Sequence, residues 1–240
     1  MKYRIADFNI EFKNTNTLVE EFFKNFETEN LPQVSFEISQ NDIDYEKRLI
    51  KYPISDKMLS VAAYHRKFIE WLPFNNAFFL HASLIDVDGI GVAFAALSGT
   101  GKTTHTLFWR QLLGERLTIV NGDKPIIRFF EEKKYPYGYG APWCGKEHYG
   151  TIGRVPLKHL CFIERGDKNY CEPMNPVDAI DLIFNQAYIP KNNPIAVYNT
   201  LSLVDRLLKV CSLWKITCRP NIESAEVAYN TIFKENNNET

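Results

Sequence analysis

The chain has 240 residues, of which 45% are hydrophobic and 24% charged, and its formal net charge is −1. This length suffices for one buried core with at most a small appendage. A near-neutral chain has no overall attraction for nucleic acid or anionic lipid, no apolar run approaches a bilayer span, and the N-terminus lacks a signal-peptide pattern. We therefore expect a cytoplasmic protein that works without nucleic acid or a membrane.

Residues 1–54 predict a small α+β N-terminal segment. Partial alternation over residues 1–12 indicates a strand with one irregularity, and residues 34–39 alternate again as a second strand. Between them a helix is predicted, with Thr17 as its cap and an apolar stripe of Leu18, Phe22, Phe23 and Phe26. Residues 41–45 contain two acidic side chains, Asp42 and Asp44, and predict a solvated connection; a site for a basic ligand is the less favoured alternative.

A helix from Ser55 to Leu72 opens the main part of the chain, and Pro73 follows its end. Residues 78–85 and 90–97 are apolar runs on either side of the turn signal Asp86-Val-Asp-Gly89, which predicts a β-hairpin. The first of these strands contains His81. A histidine in an apolar strand is more often a hydrogen-bonded core residue than a catalytic one, and only its neighbours can decide between the two.

The segment Ala96-Leu-Ser-Gly-Thr-Gly-Lys-Thr103 is typical of a phosphate-binding loop. In the pattern G-x-x-x-x-G-K-[ST], backbone N–H groups surround the phosphates, the Lys reaches their distal end and the hydroxyl holds Mg²⁺. Ala96 replaces the first Gly, so the context has to decide. A buried strand precedes the loop and an amphipathic helix follows it, and that helix directs its unpaired N–H groups toward an anion. The predicted nucleotide-binding residues are Ser98, Gly99, Thr100, Gly101, Lys102, Thr103 and Thr104.

A β-branched strand over residues 117–120 leads into Asn121-Gly-Asp-Lys-Pro125. A Gly-Asp pair is often only a turn. Behind a phosphate-binding loop, however, a carboxylate at the tip of a neighbouring strand completes the Mg²⁺ shell or handles the nucleophile. Asp123 is therefore the predicted partner of Lys102 and Thr103.

Residues 126–130 and 135–139 predict a second hairpin, and a long glycine-rich loop over residues 140–153 follows it. Loops of this length usually carry function. The loop and its end offer Trp143, Lys146, His148 and Arg154 to a substrate, and Glu147 to a metal ion. Trp143 has an alternative role, which is to pin the loop to the core.

The rest of the chain predicts strands over residues 160–164 and 213–218 and helices over residues 176–188, 195–210 and 222–233. The last residues, 235–240, contain three consecutive asparagines and predict a disordered tail. The expected organisation is a segment over residues 1–54, a catalytic core over residues 55–234, and this tail.

Three runs in this chain resemble the catalytic core of HPr kinase/phosphorylase and its small kinase-like relatives. They are the run from His81 to Val92, SGTGKTT and IVNGDKP, and the loop ALSGTGKTT is also similar to that of ATP-dependent phosphoenolpyruvate carboxykinase. The stretch from Tyr139 to Lys146 with Val155-Pro-Leu157 looks like short HPr-kinase-like proteins of bacteria. The resemblance covers roughly residues 75–230. It implies an α/β (α+β) fold with a mixed sheet around a phosphate-binding-loop core of the phosphoenolpyruvate carboxykinase type.

Carried over by position, the resemblance puts the family's strand histidine at His81, its loop lysine at Lys102, its metal-binding hydroxyl at Thr103 and its catalytic aspartate at Asp123. The family's metal-binding glutamate maps loosely onto Glu147. The family usually has two adjacent aspartates where this chain has Gly122-Asp123, so one carboxylate is missing.

We therefore expect a kinase that uses ATP and Mg²⁺ to phosphorylate a hydroxyl, most simply a serine of a peptide or small protein. Lys102, Asp123 and His81 are its predicted catalytic residues, and Thr103, Asp123 and Glu147 its predicted metal ligands. Two alternatives stay open: a small-molecule kinase acting, for example, on free serine, and a nucleotide-binding module without activity. The sequence leaves open whether the protein forms a homo-oligomer.

Overall fold

A computed structural model describes residues 1–97 and 99–234, so Ser98 and the predicted tail at residues 235–240 lie outside it. Within these ranges the protein is a mixed α/β fold with a three-stranded and a nine-stranded sheet. None of the helices in this part of the chain is long and apolar enough to cross a bilayer.

The N-terminal segment contains the elements β1 (Lys2–Ile5), β2 (Phe8–Lys13), α1 (Thr17–Phe23), β3 (Val34–Glu37) and α2 (Gln40–Leu49). The single strand predicted over residues 1–12 is wrong, since β1 and β2 form an antiparallel hairpin. Ala6 and Asp7 make its turn with φ values of 51° and 60°. Neither residue is a glycine, so the sequence carries no strong signal for this left-handed turn. Strand β3 pairs parallel to β2.

Two further predictions in this segment need correction. Asn16, not Thr17, caps α1, because its side chain accepts the backbone N–H groups of the second and third residues after it. The connection predicted over residues 41–45 lies inside α2, which Ser39 and Asp42 start with a reciprocal capping box. Asp42 also pairs with Arg66 at 2.7 Å. The acidic residues therefore stabilise a helix and its contact with the next one.

The remainder of the chain contains two kinds of element. Its helices are α3 (Asp56–Trp71), α4 (Lys102–Leu113), α5 (Pro176–Phe184), α6 (Pro194–Val210) and α7 (Glu223–Lys234). Its strands are β4 (Ala77–Phe79), β5 (Ala82–Val87), β6 (Ile90–Ala95), β7 (Leu117–Asn121), β8 (Ile126–Arg128), β9 (Tyr137–Tyr139), β10 (Arg154–Arg165), β11 (Tyr170–Pro173) and β12 (Ser212–Cys218). The predicted hairpin of β5 and β6 is confirmed.

The nine-stranded sheet is organised around β10. The start of β10 pairs antiparallel with β9. Its second half lies between β6 and β12 and is parallel to both. Strand β5 is antiparallel to both β6 and β7. Consequently the carboxyl ends of β6, β7, β10 and β12 and the amino end of β5 meet at one edge of the sheet, where ligands of open α/β sheets bind.

Helices cover both faces of this sheet, because its central strands are apolar on both sides. On one face Ile85, Phe94 and Cys161 pack against Trp109 of α4 and Ala225 of α7. On the other face alternate residues of the same strands pack against α5 and α6. This burial leaves the edge of the sheet, rather than its faces, available for a site.

The N-terminal segment shares a hydrophobic core with the elements that follow it. Phe12 and Phe23 belong to the same buried cluster as Phe68, Phe79 and Trp143. Phe12 stacks on Tyr64 of α3 with ring centroids 4.1 Å apart. A boundary at residue 54 stays a prediction, and the segment packs directly on α3.

Candidate functional site

The loop between β6 and α4 has the backbone that its glycines predict. Gly99 and Gly101 have φ values of 78° and 114°, a conformation that side-chain-bearing residues rarely adopt. Helix α4 begins at Lys102, and no side chain caps it at Gly101. Its first N–H groups are therefore available to an anion, with the positive end of the helix dipole behind them.

Arg165, at the end of β10, stabilises this loop through hydrogen bonds. Its guanidinium donates to the carbonyl oxygens of Gly99 and Thr100 at 2.5 and 3.2 Å. The contact exists because β10 runs parallel to β6, pairs Phe162 with Ala95 at the end of β6, and continues from there to Arg165. Sequence reasoning missed Arg165, since only the order of the strands brings it to the loop.

A cluster of charged side chains faces the loop from the other side. The Nζ atom of Lys102 lies 2.8 Å from Nε2 of His81. The same Nε2 lies 3.3 Å from Oδ1 of Asp123, whose second oxygen accepts a hydrogen bond from Lys124. The structure thus brings together the three predicted catalytic residues and adds Lys124, which the sequence analysis did not single out.

Burial and charge set the protonation of two of these groups. Burial acts to raise the pKa of Asp123, but hydrogen bonds from His81 and Lys124 and their charges outweigh it and hold that pKa well below its usual range. Burial lowers the pKa of Lys102 to about 8, with Lys124 acting in the same direction and Asp123 against it. At neutral pH the site therefore contains an ionised Asp123 and an ammonium that deprotonates unusually easily.

Gln186, which follows α5, makes hydrogen bonds to both the backbone and the ring of His81. The backbone N–H of His81 donates to the Gln186 carbonyl at 2.8 Å. In the amide orientation that satisfies its neighbours, the Gln186 side chain donates to Nδ1 of His81 at 3.0 Å and to the carbonyl of Ala96 at 3.2 Å. With Nδ1 accepting, the hydrogen of a neutral ring is on Nε2, the atom that faces Asp123. Gln186 is a second site residue that the sequence pattern did not reveal.

The turn that presents Asp123 is built by Asn121. The Asn121 side-chain oxygen accepts the backbone N–H groups of Asp123 and Lys124 at 2.9 and 2.8 Å. The backbone N–H of Gly122 donates to the carbonyl of Tyr149 at 2.8 Å. A Cβ atom at Gly122 would lie 3.1 Å from the Cys144 carbonyl oxygen. Gly122 therefore lets the long loop pack closely against the end of β7.

A cleft of about 790 Å³ contains most of the predicted site. From the β6–α4 loop and the charged cluster it is lined by His81, Gly99, Gly101, Lys102, Thr103, Thr104, Asp123 and Lys124, and from the long loop by Trp143, Lys146, Glu147 and His148. Thr100 lines the two cavities on the other side of the loop instead. The long loop is thus the outer wall of the cleft.

Of the predicted substrate residues, Trp143 lines the cleft but is mostly buried, and Arg154 is not among the residues that line it. Trp143 is only 7% exposed and packs among Phe23, Phe79 and His65, so its ring pins the loop to the core. Arg154 is outside the cleft, where it pairs with Asp7 of the N-terminal hairpin. That partner is 147 residues away in sequence, which is why the loop pattern could not predict the contact.

The donor atoms in the cleft fit a magnesium ion. Mg²⁺ prefers oxygen ligands and usually takes only one or two carboxylates plus phosphate oxygens and water. Thr103, Asp123 and Glu147 supply such oxygens. Asp123 and Glu147 both lie close to Gly145, since a Cβ atom built at Gly145 would be 3.1 Å from Cβ of Asp123 and 3.4 Å from Oε2 of Glu147. The described residues contain no cluster of three or more His, Cys, Asp or Glu that could hold a metal by protein ligands alone. A metal ion here would depend on the phosphates.

No protein-family model matches this chain. No curated protein matches it. Among solved structures the chain is similar to the Hpr(Ser) kinase/phosphatase from Coxiella burnetii, with 10% sequence identity and a TM-score of 0.39, over 67% of this chain and 94% of that chain. At this level of similarity the roles of individual residues rest on the geometry of the site.

Proposed function

We propose that this protein is an ATP- and Mg²⁺-dependent kinase that phosphorylates a hydroxyl group, that of a serine in a peptide or small protein. The observation that carries the proposal is the meeting of Lys102 and Asp123 in one cleft beside the uncapped start of α4. An anion site next to an ionised carboxylate suits transfer of a phosphoryl group to a nucleophile, since catalysis in this class is mainly positioning and charge stabilisation.

The phosphate chain would lie along the loop from Gly99 to Thr104. Loop N–H groups and the Lys102 ammonium would neutralise the charge on the transferred phosphoryl group. A phosphate at this position offers Lys102 a stronger partner than the His81 ring, which already carries a hydrogen on the facing Nε2 atom. With Lys102 on the phosphate, its ammonium no longer crowds the His81 Nε2 hydrogen, which faces Asp123.

Thr103, Asp123 and Glu147 are the residues that would hold Mg²⁺, which neutralises phosphate charge when bound. Asp123 would also accept a hydrogen bond from the acceptor hydroxyl and orient its oxygen toward the phosphoryl group. Because its pKa is held low, Asp123 is a weak base. We expect it to take the proton late, after bond formation to phosphorus has begun.

A groove beside the cleft supports a polypeptide acceptor. This groove, of about 420 Å³, runs between α1 and the long loop and shares Phe22, Met58 and His148 with the cleft. Ile152, which is 63% exposed, lines the groove but not the cleft. An apolar groove that opens into the cleft suits residues flanking a serine better than it suits a small metabolite.

The test is transfer of labelled phosphate from ATP to serine-bearing peptides, small proteins and free serine. We expect label on a peptide, loss of transfer in Asp123→Asn, and a raised KM for the peptide with unchanged kcat in Ile152→Glu. Transfer only to free serine would favour the small-molecule kinase. Binding of ATP without transfer to any acceptor would favour a module without activity.

A further inference from the structure

Lys124 is a second lysine in the cleft, and the proposed roles of Lys102 and Asp123 do not use it. Its Nζ atom donates a hydrogen bond to Oδ2 of Asp123, while His81 faces the other oxygen of that carboxylate at 3.3 Å. The backbone N–H of Lys124 donates to the Asn121 side chain at 2.8 Å, so the turn after β7 fixes the point from which the lysine side chain extends. The ammonium therefore lies beside the carboxylate that would receive the acceptor's proton.

The contact with Asp123 leaves most of the hydrogen-bonding capacity of Lys124 unused. An ammonium group has three N–H donors and no acceptor. Within residues 1–97 and 99–234, Asp123 is the only residue to which the Lys124 side chain donates. That side chain is 27% exposed and lines the cleft. Two of its N–H groups are therefore left for a ligand that enters the cleft.

The charges around Asp123 favour an anion as that ligand. Lys102 and Lys124 share this one carboxylate, since neither lysine pairs with any other acidic side chain in the described part of the chain. Burial lowers the pKa of Lys102, and the charge of Lys124 acts in the same direction. An anion placed between the two ammonium groups would relieve this repulsion.

We infer that Lys124 is a further catalytic residue, whose ammonium binds the phosphoryl group while that group passes from donor to acceptor. The inference rests on the proposed function. In the transfer step the acceptor oxygen forms a bond to the γ-phosphorus, the bond from that phosphorus to the bridging oxygen of ADP breaks, and the hydroxyl proton passes to Asp123. Lys124 exchanges no atom in this step and supplies hydrogen bonds and positive charge to the phosphoryl oxygens.

The positions of the two lysines give them different parts in the reaction. Lys102 begins α4 at the end of the loop, so it would contact the phosphates of the bound donor. Lys124 follows a different strand and is held on Asp123, so it would meet the phosphoryl group only as that group approaches the acceptor. A contact made only in the transition state raises kcat without tightening the ground state. Ligands that mimic the two states should therefore distinguish the two lysines.

Calorimetric titration with ADP and Mg²⁺, with and without aluminium fluoride, makes this comparison, because aluminium fluoride stands in for the transferring phosphoryl group. We expect fluoride to tighten ADP binding by the wild type. Lys124→Met keeps the apolar stem and removes the charge, so it should lose at least about tenfold of that tightening and bind ADP alone as the wild type does. Lys102→Ala should weaken both complexes.

Two further measurements separate a direct role from a structural one. Lys209→Met removes an ammonium that pairs with Asp205 at 2.7 Å outside the cleft, so it is the matched control and should change neither affinity. In Lys124→Ala, added propylammonium replaces the side-chain atoms beyond Cβ and should restore part of the fluoride-dependent tightening. Thermal melting of each variant verifies that it is folded.

The outcomes distinguish this inference from the proposed function. Full fluoride-dependent tightening in Lys124→Met would overturn the role of Lys124 and leave the proposed kinase standing. Equal weakening of both complexes in that variant would make Lys124 a ligand of the bound donor instead. A lowered melting temperature of Lys124→Met, together with no effect of propylammonium on Lys124→Ala, would reduce Lys124 to a structural role. Failure of the wild type to bind ADP, or to respond to fluoride, would overturn both proposals.

Discussion

The Nε2 atom of His81 and the Oδ1 atom of Asp123 lie 3.3 Å apart at the edge of the nine-stranded sheet. His81 precedes β5 and Asp123 follows β7, and the antiparallel pairing of these strands brings the two residues to the same edge. Gln186 fixes the histidine ring from behind. The pair therefore consists of a carboxylate that faces the cleft and a ring that orients it.

This arrangement predicts unequal roles for the two residues. Asp123→Asn should lower kcat/KM about 10²–10⁴-fold, the usual contribution of a general base. His81→Asn should cost much less, because Lys124 still holds the carboxylate. Single-turnover phosphoryl transfer measures both variants, and a larger loss in His81→Asn than in Asp123→Asn would reverse the assignment.

Gly122 gives a second prediction. Its φ is not in the left-handed region, but a Cβ atom there would meet the Cys144 carbonyl oxygen at 3.1 Å and the Tyr149 carbonyl oxygen at 3.3 Å. Gly122→Asp, which would place a second aspartate beside Asp123, should therefore push the long loop outward and destabilise the protein by about 1–3 kcal/mol.

Urea denaturation measures that cost, and Gly122→Ala is the matched control. The alanine variant should lose a similar amount, because the clash begins at Cβ. If Gly122→Asp were instead as stable as the wild type and required less Mg²⁺ for activity, the close packing would not be what excludes the second carboxylate.

The lowered pKa of Lys102 predicts a pH limit for donor binding. The ammonium is present below its pKa of about 8 and is lost as the pH rises through that value, so kcat/KM for ATP should fall above about pH 8. In Lys102→Arg the cation persists at every accessible pH. That variant should show lower activity overall but no decline between pH 7.5 and 9.5. An unchanged decline would show that another group causes the loss of activity at high pH.

His105 predicts how stability depends on pH. Burial lowers its folded-state pKa to about 4, while an unfolded histidine titrates near 6.5. The unfolded chain therefore binds more protons between these values, and stability is lost as the pH falls. From pH 7 to pH 5 the free energy of unfolding should drop by about 1–2 kcal/mol from this residue. His105→Gln, measured by urea denaturation at both pH values, should show a correspondingly smaller drop.

Much of the core could be predicted because its signals are local. The β5–β6 hairpin has an Asp-Gly turn, and α4 follows a glycine-rich loop, so both elements were recognisable from a few adjacent residues. Asp123 directly follows one predicted strand, and the loop with Lys102 follows another. Because the ends of neighbouring strands lie together, the two residues could be related from sequence. These local patterns indicate the charged cluster of His81, Lys102 and Asp123 in outline.

The remainder depends on contacts between distant parts of the chain. Ala6 and Asp7 adopt left-handed backbone without glycine, so the hairpin of β1 and β2 had no turn signature. Arg165 reaches the loop, and Arg154 leaves the cleft for Asp7, through strand pairing and chain packing that no spacing encodes. Local pattern identifies side chains capable of chemistry, and the topology decides which of them meet.

The central claim is that the loop ending at Lys102 binds a nucleoside triphosphate. Calorimetric titration of wild type and Lys102→Ala with ATP and Mg²⁺ tests it most directly, with thermal melting of both proteins to verify that they are folded. The account predicts saturable one-to-one binding by the wild type and at least tenfold weaker binding by a variant of unchanged melting temperature. Equal affinity of the two proteins for ATP would contradict it.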